Sequence, residues 1–74
     1  MQSKLDTLKV FGRFVRLSRE RAGISQEELA ERAGLHRTYI GGIERGERNV
    51  ALINLVKLAH AFRIKPAELL RNLE

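Results

Sequence analysis

Residues 24–49 read ISQEELAERAGLHRTYIGGIERGERN, and this stretch decides the fold. Ser25 and Glu28 have the S-x-x-E spacing of a capping box, in which the hydroxyl accepts a backbone N–H near Glu28 and the carboxylate reaches back. Gly34 suits the left-handed stop that follows a last helical turn. The pattern therefore predicts a short helix that runs from Ser25 to Ala33.

A second short helix is predicted from Arg37 to Arg45, and Gly46 ends it. Its larger apolar side chains are Tyr39, Ile40 and Ile43. Two short helices joined by a tight turn at residues 34–36 form a helix-turn-helix, a motif whose second helix enters the major groove of DNA. The stretch thus predicts both a local fold and a way of contacting a nucleic acid.

The rest of the chain is also patterned for helices. Apolar residues recur at three- and four-residue steps in a first segment, Lys4–Arg21, and in a fourth, Leu52–Phe62, where Leu52 is expected on the apolar face. A fifth helix is predicted to begin at Pro66, because proline is favoured at the first helical position. No window alternates apolar and polar residues as a half-buried strand would. We therefore predict an all-α fold of five helices in one domain, residues 1–74.

The composition limits the classes of function. The chain of 74 residues has no cysteine, which excludes a disulfide framework, a cysteine-ligated metal site and a thiol nucleophile. Its net charge is +5, and ten of its fourteen basic residues are arginine, whose planar fork suits phosphate and guanine. A polyanion is the first partner to consider, although such a charge also serves solubility alone. No apolar run is long enough to span a bilayer, so we expect a cytoplasmic protein without a membrane partner.

The elements Ser25-Gln26-x-x-Leu29-Ala30, Ala33-Gly34 and Ile40-x-x-Ile43-Glu44-x-Gly46 together resemble the helix-turn-helix of the Cro and phage-repressor (Xre) family. The likeness extends from Phe11 to Leu70 and implies a lambda-repressor-like domain. Within that family, the chain is most similar to restriction–modification controller proteins. These are small dimeric regulators that bind operators ahead of their own gene and the endonuclease gene. The alternatives are a phage-type repressor, an antitoxin, or a protein-interaction module that does not read DNA sequence.

The resemblance implies that Gln26 grips DNA and that Arg37 and Thr38 read bases. The chemistry agrees, because arginine can bond bidentately to guanine and the threonine methyl can contact thymine. Tyr39 offers a hydroxyl for phosphate and a ring for packing. The predicted DNA-binding residues are Ser25, Gln26, Arg37, Thr38, Tyr39, Gly42, Arg45, Arg48 and Asn49.

The pair Gly41-Gly42 is unusual, because each glycine inside a helix costs about 1 kcal/mol relative to alanine. Both share one side of the predicted helix with Thr38 and Arg45. One interpretation is that the missing side chains let the helix lie deep in the groove. The other is that they allow close packing against the first helix.

An ion pair and a dimer interface are also predicted. The resemblance implies a partly buried ion pair between Glu44 and Arg19. It also implies a two-fold homodimer through the C-terminal region. The residues there that are too apolar for the end of a small monomer are the predicted interface: Phe62, Ile64, Leu69, Leu70 and Leu73. The plainer alternative is that these apolar residues complete the core of the monomer. We find no pattern for catalysis, a metal, a cofactor or a small-molecule ligand.

Overall fold

The computed structural model describes residues 3–73, which form five helices and no strand. The helices are α1 (Lys4–Arg21), α2 (Gln26–Ala33), α3 (Arg37–Glu44), α4 (Leu52–Phe62) and α5 (Pro66–Leu69). The predicted all-α fold is confirmed, and the predicted start and end of each of the first four helices lie within one residue of those observed.

The helix-turn-helix is delimited by its caps. The Ser25 hydroxyl accepts the backbone N–H of Glu28 at 3.0 Å, as the sequence predicted. The other half of the capping box is absent, because the Glu28 carboxylate accepts a bond from Arg32 Nη2 at 2.7 Å. Gly34 ends α2 with φ of 69°, a left-handed conformation that glycine adopts without strain. His36 occupies the N-cap position of α3, but its side chain makes no capping bond.

One core joins all five helices. α3 packs against α1 and α2, whereas α4 packs against α2 and α5. The largest fully buried side chains are Leu29, Ile40, Ile43, Leu58, Leu69 and Val15. This arrangement holds α3 from two sides and leaves its remaining surface outside the core.

The prediction for α4 was wrong at Leu52. That side chain is 74% exposed, whereas Leu55 and Leu58 are buried. The buried side of α4 is centred on those two residues, so Leu52, in the first turn, lies at its edge. Ile53 beside it is 68% exposed.

Within residues 3–73, no helix has the length and apolar character needed to cross a membrane.

Candidate nucleic-acid interface

α3 has two different sides. Its inner side carries Ile40 and Ile43, which are 0% and 1% exposed and face the core. Its outer side carries Arg37 and Thr38 in the first turn, where both are exposed. Since residues at the start of such a helix reach base edges when it lies in the major groove, the structure leaves open the end of α3 that would read DNA.

A partly buried ion pair fixes α3 to α1. Arg19 Nε donates to Glu44 Oε2 at 2.7 Å, and Arg19 Nη2 donates to Glu44 Oε1 at 3.1 Å. The two side chains are only 14% and 4% exposed. The hydrogen bond to Glu44 raises the pKa of the Arg19 guanidinium, and this effect exceeds the opposing effect of burial. The structure thus brings together the two residues for which the family resemblance implied a pair.

The pair also organises the elements around it. Arg19 Nη1 donates to the Ile24 carbonyl at 3.0 Å, which ties the end of α1 to the loop before α2. Gln26 Nε2 donates to Glu44 Oε1 at 3.0 Å. Gln26 was predicted to grip DNA, and in this structure one amide hydrogen is committed to Glu44. Residues of α1, α2 and α3 therefore meet at one carboxylate.

The close approach of α1 and α3 depends on Gly12. A Cβ at Gly12 would collide with the carbonyl oxygen of Ile43 and lie 2.9 Å from that of Glu44. Neither atom belongs to a flexible side chain, so the backbone itself would have to move. Close packing against the first helix was one interpretation of Gly41-Gly42, and the structure assigns that role to Gly12 instead.

Gly41 and Gly42 are both buried, but arginine side chains cover them rather than the core. A Cβ at Gly41 would lie 3.0 Å from Arg45 Nη1, and one at Gly42 would lie 2.9 Å from Arg48 Cγ. Gly42 was predicted to belong to the DNA-facing surface; here the stem of Arg48 occupies that surface. Two cationic side chains thus lie along the outer side of α3.

Tyr39 connects this surface to α4. Its hydroxyl accepts a hydrogen bond from Asn54 Nδ2 at 3.2 Å, and the Arg48 guanidinium carbon lies 5.9 Å from the centre of its ring. That distance is within the range of a cation–π interaction. Asn54 was not among the residues predicted from the sequence, because no local pattern pairs residues 39 and 54.

The remaining predicted contacts lie at the two ends of this surface. Ser25 is exposed, although its hydroxyl already caps α2. Arg45 and Asn49 are exposed beyond the end of α3, and Arg45 pairs with Glu47 at 3.1 Å. Both partners of that pair are 59% exposed, so solvent weakens the attraction.

Three cations of α1 were missed by the sequence analysis. Lys9, Arg13 and Arg16 line one shallow cleft with Glu44 and Arg45. Their spacing of four and then three residues places them on one side of α1, and that spacing could have identified them. They extend the basic surface from the end of α3 onto the first helix.

The predicted dimer interface lies on α4, α5 and the segments that flank α5, and one of its five residues is enclosed by the monomer. Leu69 is 1% exposed and belongs to the core, so its assignment to the interface was wrong. Phe62, Ile64 and Leu73 are half-buried against the same core, and Leu70 is 41% exposed. The other four residues keep exposed surface, so an interface at those positions stays a prediction.

Comparison with known proteins places this geometry in a family. Residues 15–69 match the family model described as helix-turn-helix. The control protein C.SmaI of Serratia marcescens is 47% identical over 66 residues, which span 89% of this chain and 79% of that protein. The control protein C.BamHI of Bacillus amyloliquefaciens is 48% identical over 62 residues, which span 82% of this chain and 76% of that protein.

The solved structures agree. The restriction–modification controller protein C.AhdI from Aeromonas hydrophila superposes with a TM-score of 0.81 at 53% identity, covering 86% of this chain and 96% of that one. The chain therefore belongs to the helix-turn-helix family and is a transcription regulator homologous to the restriction–modification controller proteins.

Proposed function

We propose that this protein binds operator DNA as a homodimer, reads its sequence with α3 and controls expression of restriction–modification genes. The observation that carries the proposal is the division of α3: Ile40 and Ile43 are fully buried, whereas Arg37 and Thr38 are exposed at the end that would enter the groove. The likeness to C.SmaI, C.BamHI and C.AhdI supports the regulatory role.

Base reading falls to the first turn of α3. Arg37 can donate two hydrogen bonds to O6 and N7 of a guanine, and Thr38 can contact a thymine methyl. A bidentate contact of this kind provides about 1–3 kcal/mol of discrimination. Gly41 and Gly42 have no side chains that could contact bases. Arg37 and Thr38 therefore carry most of the direct reading. Sequence-dependent DNA shape is the remaining source of specificity.

The surrounding basic and amide side chains hold the DNA backbone. Arg45, Arg48 and Asn49 follow α3, and phosphate contacts from such residues position a protein without reading sequence. Gln26 keeps a second amide hydrogen for DNA beside the one that it donates to Glu44. The α1 side chains Lys9 and Arg13 extend this surface. The Arg19–Glu44 pair keeps the acidic charge of α3 neutralised and away from the phosphates.

A second copy is proposed to cover Leu52 and Ile53. These adjacent side chains are 74% and 68% exposed, and a chain of this size gains stability from a partner. They follow closely after Arg48 and Asn49 along the chain, so an interface there lies beside the DNA-contacting segment. Two copies that meet at such a place can present their α3 helices to half-sites about one helical turn, ~34 Å, apart.

Sedimentation tests the dimer. We expect a dimer of the 8.5 kDa chain at micromolar concentration and a monomer when Leu52 and Ile53 are both replaced by serine. Leu5→Ser is the matched control, because Leu5 is 65% exposed on α1 and should not affect assembly. A wild-type protein that sediments only as a monomer would exclude the interface.

In-vitro selection of bound duplexes from a random pool, at about 150 mM salt, tests the DNA-binding function. We expect two inverted half-sites at a fixed spacing. Arg37→Ala should relax the selected sequence at one position of each half-site. Arg71→Ala removes the same charge from an exposed residue beyond α5 and should leave the selected sequence unchanged. Folded protein that enriches no sequence would contradict the proposal and favour a protein-interaction module.

A further inference from the structure

The two glycines of α3 are covered by different parts of their arginines. At Gly41 the nearest atom to an added Cβ is Arg45 Nη1, the far end of a flexible side chain, at 3.0 Å. At Gly42 the nearest atom is Arg48 Cγ at 2.9 Å, followed by Nε at 3.2 Å and Cδ at 3.6 Å. Arg45 can make room by moving its tip. Arg48 can do so only by moving its whole side chain, because the contact begins at the stem.

The rest of Arg48 lies on a fixed support. Its guanidinium is 5.9 Å from the centre of the Tyr39 ring, and Asn54 Nδ2 holds the hydroxyl of that ring. No carboxylate within residues 3–73 forms an ion pair with Arg48, whereas Arg45 is paired with Glu47. Arg48 is therefore an exposed cation whose stem lies against Gly42 and whose guanidinium lies over the Tyr39 ring.

We propose that Gly42 is a positioning residue: its missing side chain seats the Arg48 stem on α3, which holds the guanidinium over Tyr39 as a pre-ordered contact for the DNA backbone. The inference rests on the proposed DNA-binding function. It differs from the idea that glycine merely lets the helix lie deeper in the groove. In that idea Gly42 acts directly on DNA, whereas here it acts through Arg48.

A pre-ordered arginine binds better because less side-chain freedom is lost on binding. We expect Gly42→Ala to weaken operator binding by roughly threefold to tenfold, the range expected when one long side chain must be ordered again. Arg48→Ala should weaken binding at least as much, since it removes the contact itself. Arg71→Ala removes the same side chain from an exposed position beyond α5 and is the affinity control, which should leave operator binding unchanged.

A double-mutant cycle on the selected operator tests the mechanism. If Gly42 acts through Arg48, Gly42→Ala should have no further effect in the Arg48→Ala background. An equal loss of affinity in both backgrounds would overturn the proposal that Gly42 positions Arg48. It would support the idea that glycine lets the helix lie deeper in the groove. The double variant also removes the steric conflict, so it should fold even if Gly42→Ala alone does not.

A second measurement needs no DNA. Tyr39 is the chain's single tyrosine and there is no tryptophan, so its ring NMR resonances report this one place. We expect the ring shifts of Gly42→Ala to move toward those of Arg48→Ala, and those of Gly41→Ala to stay at the wild-type values. Unchanged ring shifts in Gly42→Ala would overturn the proposal.

The two measurements separate the inference from the function that it depends on. A wild-type protein that selects no duplex would overturn the proposed function and, with it, any role of Arg48 toward DNA. Ring shifts that move as expected would still establish that Gly42 seats Arg48. Specific binding with an additive double-mutant cycle would agree with the proposed DNA-binding function. It would contradict the proposal that Gly42 positions Arg48.

Discussion

The inner and outer sides of α3 differ in what contacts them. The inner side contacts α1 through backbone atoms at Gly12 and through a buried ion pair, so it has little freedom to adjust. The outer side is covered only by side chains, namely the tip of Arg45, which can move, and the stem of Arg48. α3 is therefore held rigidly against α1 and covered on its outer side only by side chains, an arrangement that suits the proposed entry of this helix into a groove.

The largest expected effect comes from breaking the inner side at Arg19. Arg19→Met leaves the Glu44 carboxylate, whose side chain is 4% exposed, without its cation. Removing one partner of a buried pair costs about 3–5 kcal/mol, because the remaining charge stays desolvated. We expect a loss of this size in the free energy of unfolding, measured by chemical denaturation.

An exposed pair of the same length provides the control. Arg32 Nη2 and Glu28 Oε2 are also 2.7 Å apart, but the two side chains are 46% and 47% exposed. Arg32→Met should cost only about 0.3–0.5 kcal/mol, as for other exposed pairs four residues apart on a helix. Equal losses in the two variants would show that burial does not distinguish the pairs.

The sign of the pKa shift predicts how the Arg19 effect depends on pH. Glu44 raises the Arg19 pKa, so this contribution is fully present below the ordinary arginine pKa and is lost only as pH rises through the raised value. The cost of Arg19→Met should therefore be constant between about pH 6 and 8. A cost that changed steeply across that window would mean that another group controls the pair.

The next effect tests the backbone contact of the inner side. Gly12→Ala places a methyl group against the carbonyl oxygens of Ile43 and Glu44. We expect a loss of about 1–3 kcal/mol, the usual cost of overpacking, despite the better helix propensity of alanine. Thermal and chemical unfolding measure it. A variant as stable as the wild type would show that α1 and α3 can separate without cost.

Some features of the helix-turn-helix and of the inner side of α3 could be predicted from the sequence, and others could not. The Ser25 cap, the Gly34 turn and buried Ile40 and Ile43 follow from spacing alone, because each depends on neighbours within one or two turns. Arg19 and Glu44 are 25 residues apart in the chain, and their pairing was predicted only from the family resemblance. The role of Gly12 was missed, since nothing in its own segment indicates that another helix crosses there.

The outer side of α3 and the exposure of the leucines were harder to predict, because both depend on how distant segments of the chain pack. Which side chain covers a glycine depends on where the chain turns after the helix, so Arg48 over Gly42 could not be read from the pattern. The C-terminal leucines were assigned to an interface because they are apolar. Whether such a residue is core, like Leu69, or exposed, like Leu52, depends on how α4 and α5 pack.

A smaller effect is expected where the outer surface continues onto α1. Lys9→Gln and Arg13→Gln each remove one cation beside Arg45. If each contacts a phosphate, the slope of log K against log salt concentration should become shallower by about 0.9 per variant, with no change in the selected sequence. Lys57→Gln removes an exposed charge from α4 and is the control. Unchanged slopes in the α1 variants would confine the DNA contact to α3 and the segment after it.

The smallest effect separates the two sides of α3 most directly. Gly41→Ala adds the same methyl group as Gly12→Ala, but its nearest neighbour is the tip of Arg45 at 3.0 Å, followed by Gln26 Oε1 at an ordinary contact distance of 3.7 Å. Because that tip can move, the gain in helix propensity should dominate, and we expect the free energy of unfolding to rise by up to about 1 kcal/mol. Chemical denaturation of the two alanine variants should therefore give changes of opposite sign. A loss of stability in Gly41→Ala would mean that Arg45 is held as firmly as the backbone behind Gly12, and the outer side would then not be adaptable.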